Sequence, residues 1–92
     1  MPKLPNLSLF FPAYNEEANI ERMVREAQKV LPEVANDWEI IPVNDGSRDK
    51  TGEIADRLAQ EDPHVKPVHH AKNQGYGGAV ISGFKAAKMD YV

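Results

Sequence analysis

An apolar run, Trp38-Glu39-Ile40-Ile41-Pro42-Val43, passes directly into Asn44-Asp45-Gly46-Ser47-Arg48-Asp49-Lys50-Thr51 and then into helix-type residues, Glu53 to Gln60. Strand, short acidic turn, helix is the sequence form of a βα unit, and it places Asp45 where a strand has stopped and a helix has not begun. In open α/β sheets ligands bind outside the carboxyl ends of the strands. Gly46 lets the chain bend there, and Ser47 or Asp49 is able to cap the helix, which holds one carboxylate toward a crevice. An ordinary acidic capping turn satisfies the same residues, so the rest of the chain has to decide between the two.

The same alternation flanks this unit on both sides. Leu7-Ser8-Leu9-Phe10-Phe11 is nearly continuous in large apolar residues, the pattern of a strand covered on both faces, and Pro12 ends it. Pro12-Ala13-Tyr14-Asn15 reads as a turn, with Asn15 as N-cap and Glu16 and Glu17 in the first helical turn. Ile20, Met23, Val24, Ala27, Val30 and Leu31 keep the spacing of one buried helical face, and Pro32 stops that helix. In the second strand Pro42 removes a ladder donor, which predicts a bulge near the strand's end. The second helix covers Asp49 to Glu61, buries Ile54, Ala55 and Leu58, and is closed by Asp62-Pro63. Val65 to His70, with Pro67 inside it, reads as an edge strand. A glycine-rich turn, Lys72 to Ala79, then leads into a third helix carrying Val80, Ile81, Phe84 and Ala87, in which Gly83 marks close packing against a neighbour. Tyr91-Val92 reads as the first residues of a fourth strand.

Strands and helices in strict alternation with short links imply right-handed crossovers and a parallel sheet with helices on its faces. All turns after the strands then gather on one edge, so Tyr14, Glu16, Asp45, Lys72 and Asn73 converge on one rim. The 92 residues make a single domain of mixed charge, and the net charge of -3 leaves no footprint for nucleic acid. There is no cysteine, hence neither a disulfide framework nor a thiolate metal site, which suits a reducing compartment. No run approaches the ~18 apolar residues of a membrane span. Several familiar sites are missing: the first turn lacks the dinucleotide-binding glycines, Gly75-Tyr76-Gly77 lacks the third glycine of that fingerprint, and no phosphate-loop Gly-Lys-Ser/Thr occurs. His69 and His70 are adjacent and point to opposite faces of a strand, so they do not share a metal and read as surface or edge residues.

Phe11-Pro12-Ala13-Tyr14-Asn15-Glu16-Glu17, then Val43 to Thr51, then Asn73-Gln74-Gly75-Tyr76-Gly77-Gly78-Ala79 with Gly83-Phe84, resembles in order the start of a family 2 glycosyltransferase. The Asn-x-Gly-Tyr-Gly form is similar to the branch of dolichol-phosphate mannose and glucose synthases. The resemblance covers the whole chain. It implies a three-layer α/β/α Rossmann-like parallel sheet, the N-terminal half of a GT-A nucleotide-diphospho-sugar transferase fold, over residues 1–92. It further implies a UDP- or GDP-sugar donor, inversion at the anomeric carbon, a polyprenyl-phosphate acceptor, and work at the cytoplasmic face of a membrane.

By the same resemblance the nucleotide-sugar site comprises Pro12, Ala13, Tyr14, Glu16, Asp45, Lys72 and Asn73. Tyr14 would lie against the nucleobase, Glu16 would reach the ribose or base edge, and Asp45 would accept a hydrogen bond from the ring N–H of the base. The residue types suit this: a carboxylate only accepts, which matches the N–H that uracil and guanine both present, and an aromatic face offers stacking to either. Lys72 would sit near the diphosphate, with Asn73 orienting the turn. A rim aromatic and a solvated charge are the plainer readings of Tyr14 and Lys72. Asn44 stands where many relatives have a first aspartate, a position that precedes the ligand-facing carboxylate.

In the family a fourth strand runs into an Asp-x-Asp motif that binds a divalent cation, Mg or Mn, followed by an acceptor site and a base. No catalytic residue and no metal ligand is assigned among these 92 residues, and the chain alone is expected to transfer no sugar. A non-catalytic nucleotide-binding or assembly module is the alternative. A pyrophosphorylase-like enzyme is disfavoured, because it would want a basic, glycine-rich loop where Pro12 to Glu16 stand. The apolar first strand lacks charge or proline before Pro12, so self-association through that edge is expected.

Overall fold

The computed structural model describes residues 2–92 and contains three parallel strands side by side: β1 (Leu4–Ala13), β2 (Ala35–Asn44) and β3 (Val68–His69). Each is followed by a helix, α1 (Ile20–Val34), α2 (Thr51–Glu61) and α3 (Gly75–Ala86). Because strand side chains alternate between faces, the two long strands divide their residues cleanly. Leu7, Phe11, Ala13 and Ile40 meet Ile20, Val24 and Leu31 of α1 and Ala55 and Leu58 of α2. On the other face Phe10, Ile41 and Val43 meet Ala79 of α3. The sheet is therefore covered on both sides, the three-layer α/β/α arrangement that the sequence predicts.

The prolines behave differently from expectation. Pro12 lies within β1, opposite Val43. The Asp45 N–H donates to Ala13 O at 2.9 Å, so the odd-numbered residues of β1 turn their backbone groups toward β2 and Ser8, Phe10 and Pro12 turn theirs to the opposite edge. A missing N–H breaks no bond to β2 at such a position. On that outer edge the Ser8 N–H donates to Tyr91 O at 2.7 Å, so Tyr91, read from sequence as the start of a fourth strand, runs beside β1. Pro42 produces no bulge, since the register through Phe10↔Ile41, Phe11↔Pro42 and Pro12↔Val43 is unbroken. Its nitrogen faces β3, as do the backbone groups of Ile40 and Asn44, which pair with His64, Lys66 and His70. By that register the absent bond would go to Lys66, and there the ladder is interrupted: an isolated Ile40↔Val65 bridge precedes the two residues of β3. An edge strand absorbs the defect that the proline imposes.

Helix α1 begins at Ile20, not after Asn15, and contains Pro32 in its last turn. Asn15 has a φ of 54°, in the left-handed region that asparagine tolerates, and the N–H groups of Asn19 and Ile20 both donate to Glu16 O to start the helix. On α3 the close packing expected at Gly83 is present, because a Cβ there would fall inside the Phe10 ring. The buried positions of α3 are Ala79 and Gly83, while Ile81 and Phe84 stay exposed, the latter with its ring edge-on to Phe10 at 4.9 Å.

Candidate functional site

Three loops leave the carboxyl ends of the strands, and hydrogen bonds between backbone and side chains join them into one rim. The first loop donates its amides to the second: Asn15 N–H to Ser47 Oγ (3.0 Å), Glu16 N–H to Thr51 Oγ1 (2.8 Å) and Glu17 N–H to Asp49 Oδ2 (3.2 Å). Asn15 Oδ1 in return accepts the Arg48 N–H at 2.9 Å, so this asparagine ties two loops together where the sequence predicts a helix cap. Asp49 Oδ1 takes the N–H and the hydroxyl of Thr51, which starts α2. Burial opposes ionisation of Asp49, but these bonds from Thr51 outweigh it and hold the carboxyl below its ordinary value.

The second loop is tied to the third through Asp45. Its Oδ1 accepts from the Gln74 N–H at 2.7 Å and lies 2.8 Å from His70 Nδ1. A carboxylate only accepts, so Nδ1 carries a proton toward Asp45, and Nε2 on the far side of the ring lies 2.7 Å from the Ser82 hydroxyl. Burial pushes the Asp45 carboxyl up, yet the Gln74 amide and His70 hold it below the usual aspartate value, so it is ionised at neutral pH. Both bonds fall on Oδ1. The Gly75 amide also helps to hold the carboxyl ionised, while Oδ2 accepts no hydrogen bond within 3.5 Å among the described residues and is not a buried orphan, so it keeps some contact with solvent in this nearly buried side chain. Gly46 sits so close to the third loop that a Cβ would overlap the backbone of Asn73 and Lys72, and with a φ of 71° the position suits glycine on both counts.

The predicted residues do gather along this rim. Tyr14 is 44% exposed, Glu16 is half-buried with Oε2 accepting from Asn19 Nδ2 at 3.2 Å, and Lys72 and Asn73 are exposed. Asn73 Nδ2 donates to Asp45 O at 3.2 Å, and its Oδ1 accepts the Gly75 N–H at 3.0 Å, which orients the glycine-rich turn. Pro12 is half-buried at the end of β1. Ala13 keeps its side chain in the core and reaches the rim only through its carbonyl.

Sequence reasoning missed His70. Taken as a surface or edge residue, it keeps only 6% of its side chain exposed, whereas His69 does lie at the surface against Asp56 and Asn44. The register pairs Val43 with Val68 and Asn44 with His69, which sets Asp45 beside His70 one step beyond each strand. Only the register carries that signal. Thr51 was missed because its partner Glu16 comes from another βα unit, and Ser82 because its role depends on the burial of His70 beneath α3.

Among the described residues no group of three His, Cys, Asp or Glu side chains is placed to hold a metal ion. An open cavity of about 340 Å³ lies away from the rim, between β1 and α1, lined by Leu9, Phe11, Met23, Glu26, Ala27 and Val30. No helix among the described residues is long and apolar enough to cross a membrane.

The chain is similar in sequence to several glycosyltransferases. The chain is 42% identical over 86 residues to the glycosyltransferase AglD of Haloferax volcanii, covering 91% of this chain and 14% of that protein. It is 39% identical over 82 residues to a dolichyl-phosphate beta-glucosyltransferase of Trichomonas vaginalis, covering 84% of this chain and 25% of the relative. To an undecaprenyl-phosphate 4-deoxy-4-formamido-L-arabinose transferase of Pectobacterium carotovorum it is 31% identical over 90 residues, covering 97% of this chain and 28% of the relative. The chain thus spans roughly a quarter or less of the length of these relatives. Residues 8–92, which include the whole rim, match the glycosyl transferase family 2 domain, and the chain belongs to that family.

Proposed function

We propose that this chain forms the nucleotide-binding part of an inverting glycosyltransferase that moves a sugar from a UDP- or GDP-sugar to a polyprenyl phosphate at the cytoplasmic face of a membrane. The observation that carries the reading is an ionised carboxylate, Asp45, at the carboxyl end of the central strand, nearly buried and with one oxygen, Oδ2, that accepts no hydrogen bond within 3.5 Å among the described residues. The acceptor class is supported by the names of the relatives, which act on dolichyl or undecaprenyl phosphate.

In this reading Asp45 Oδ2 accepts the ring N–H of the base and Tyr14 offers its exposed face for stacking. Glu16 reaches the ribose, with Pro12 and the Ala13 carbonyl flooring the site. Lys72 and the first turn of α3 face the diphosphate, where the positive end of a helix favours an anion. In the transfer an acceptor phosphate oxygen forms a bond to the anomeric carbon as the bond to the donor diphosphate breaks, and the nucleoside diphosphate leaves with the electron pair. A divalent cation, Mg or Mn, would offset the charge on that leaving group, and among the described residues no group of three His, Cys, Asp or Glu side chains is placed to hold it. The task of this chain is to bind and orient the donor.

Calorimetric titration with uridine and guanosine diphosphate tests the reading. Asp45→Ala should weaken binding by ~1.5 to 3 kcal/mol, the range for a lost hydrogen bond to a charged group. Equal affinity in wild type and in Asp45→Ala, with both proteins folded by thermal melt, would overturn it.

A further inference from the structure

Asp45 does not offer a whole carboxylate to a ligand. Each carboxylate oxygen has two lone-pair directions, and both of those on Oδ1 are used, one by the Gln74 N–H at 2.7 Å and one by His70 Nδ1 at 2.8 Å. The His70 ring is itself fixed, buried to 6% of its side-chain surface and held at Nε2 by Ser82 Oγ at 2.7 Å. The Gln74 N–H precedes the first residue of α3 and Ser82 lies within that helix, so α3 determines which oxygen is occupied. What remains for a ligand is a single acceptor, Oδ2.

Nucleobases differ in what they bring to a single acceptor. Uracil presents one N–H between two carbonyls, which one oxygen satisfies. Guanine presents a ring N–H and an amino group side by side, a pair that fits a carboxylate through both oxygens at once. With Oδ1 filled, one of guanine's two donors would meet an oxygen with no lone pair to give, and a polar group desolvated without a partner is penalised. We propose that His70, oriented by Ser82, is a positioning residue that reserves Asp45 Oδ1 and thereby makes this site select uridine over guanosine diphosphates. The inference rests on the reading of Asp45 as the base-contacting carboxylate.

Titration of the full chain with uridine diphosphate and guanosine diphosphate separates the two claims. Wild type should bind the uridine nucleotide about tenfold tighter or more, as one unsatisfied donor implies. In His70→Ala that ratio should fall toward one, because the freed carboxylate can present both oxygens. His70→Asn places an amide N–H near the position of Nδ1 and should restore the preference, and Ser82→Ala, which leaves the Asp45 contacts in place but frees the ring, should give an intermediate ratio. A purely structural role for His70 would weaken both nucleotides alike and leave their ratio unchanged. Wild type binding both equally, or the guanosine nucleotide more tightly, would overturn the selectivity inference while the nucleotide-binding reading stands. Binding of neither would overturn both. If His70→Ala fails to fold, the wild-type ratio together with the response of Ser82→Ala decides, and a Ser82→Ala ratio equal to that of wild type would overturn the positioning role.

Discussion

Glu16 N–H donates to Thr51 Oγ1 at 2.8 Å, although the two residues are 35 positions apart. The same hydroxyl donates to Asp49 Oδ1, so one fully buried threonine joins the first loop to the start of α2. Thr51→Val keeps the shape and removes both bonds, which leaves the Glu16 amide without its partner. A loss of ~1 to 3 kcal/mol in unfolding free energy is expected. Thr51→Ser, which keeps the hydroxyl, should lose clearly less. Urea denaturation of the two variants measures the difference, and equal stabilities would show that the hydroxyl does not hold the rim.

Gly83 and Gly77 lie on one helix and should respond differently to alanine. At Gly83 the added methyl meets the Phe10 ring, so overpacking of ~1 to 3 kcal/mol should outweigh the gain in helix propensity. At Gly77 a Cβ meets nothing within 4 Å, and the change should be neutral or stabilising by up to ~1 kcal/mol. Thermal melts should show Gly83→Ala lowered and Gly77→Ala unchanged or raised.

Acid should unfold the chain partly through Glu39. This carboxylate is fully buried, and burial alone would raise its pKa. The Lys88 N–H at 2.7 Å, the Ser8 hydroxyl at 2.5 Å and the Lys66 ammonium at 3.0 Å reverse that and set it below the ordinary 4.5. The unfolded chain therefore takes up the proton first as pH falls. The stabilisation is complete above about pH 4.5 and is lost as pH drops toward the folded value. Glu39→Gln should be less stable at neutral pH and show a shallower loss between pH 5 and 3; an acid limb as steep as wild type would exclude Glu39 as a source.

The outer edge of β1 should make the chain associate with a second copy. Tyr91 O occupies the Ser8 N–H, and Pro12 has no N–H to offer, but the Phe10 backbone between them faces outward. Beside it Leu9 and Val30 leave 38% and 54% of their surface exposed around the cavity on α1. Sedimentation at several concentrations should show species heavier than the 10.3 kDa chain, and Leu9→Lys with Val30→Glu should shift them to monomer. A single 10.3 kDa species at every concentration would contradict this edge pairing.

The alternation of elements, the buried faces of α1 and α2, the tight contact at Gly83 and the gathering of Tyr14, Glu16, Asp45, Lys72 and Asn73 on one rim were legible in the sequence. They follow from periodicity and from the rule that turns after parallel strands share an edge, and both are local properties of the chain. The prolines were misread because a proline's effect depends on which neighbour its nitrogen faces. Pro12 faces away from β2, and Pro42 faces a gap in an edge strand. Asn15 has the composition of a cap and serves as a tie between loops, since its nearest partner, Arg48, comes from another unit. The pairing of Asp45 with His70 and Ser82 depends on strand register and on which face α3 covers. These are set by packing between units far apart in the chain, so no pattern within one segment encodes them.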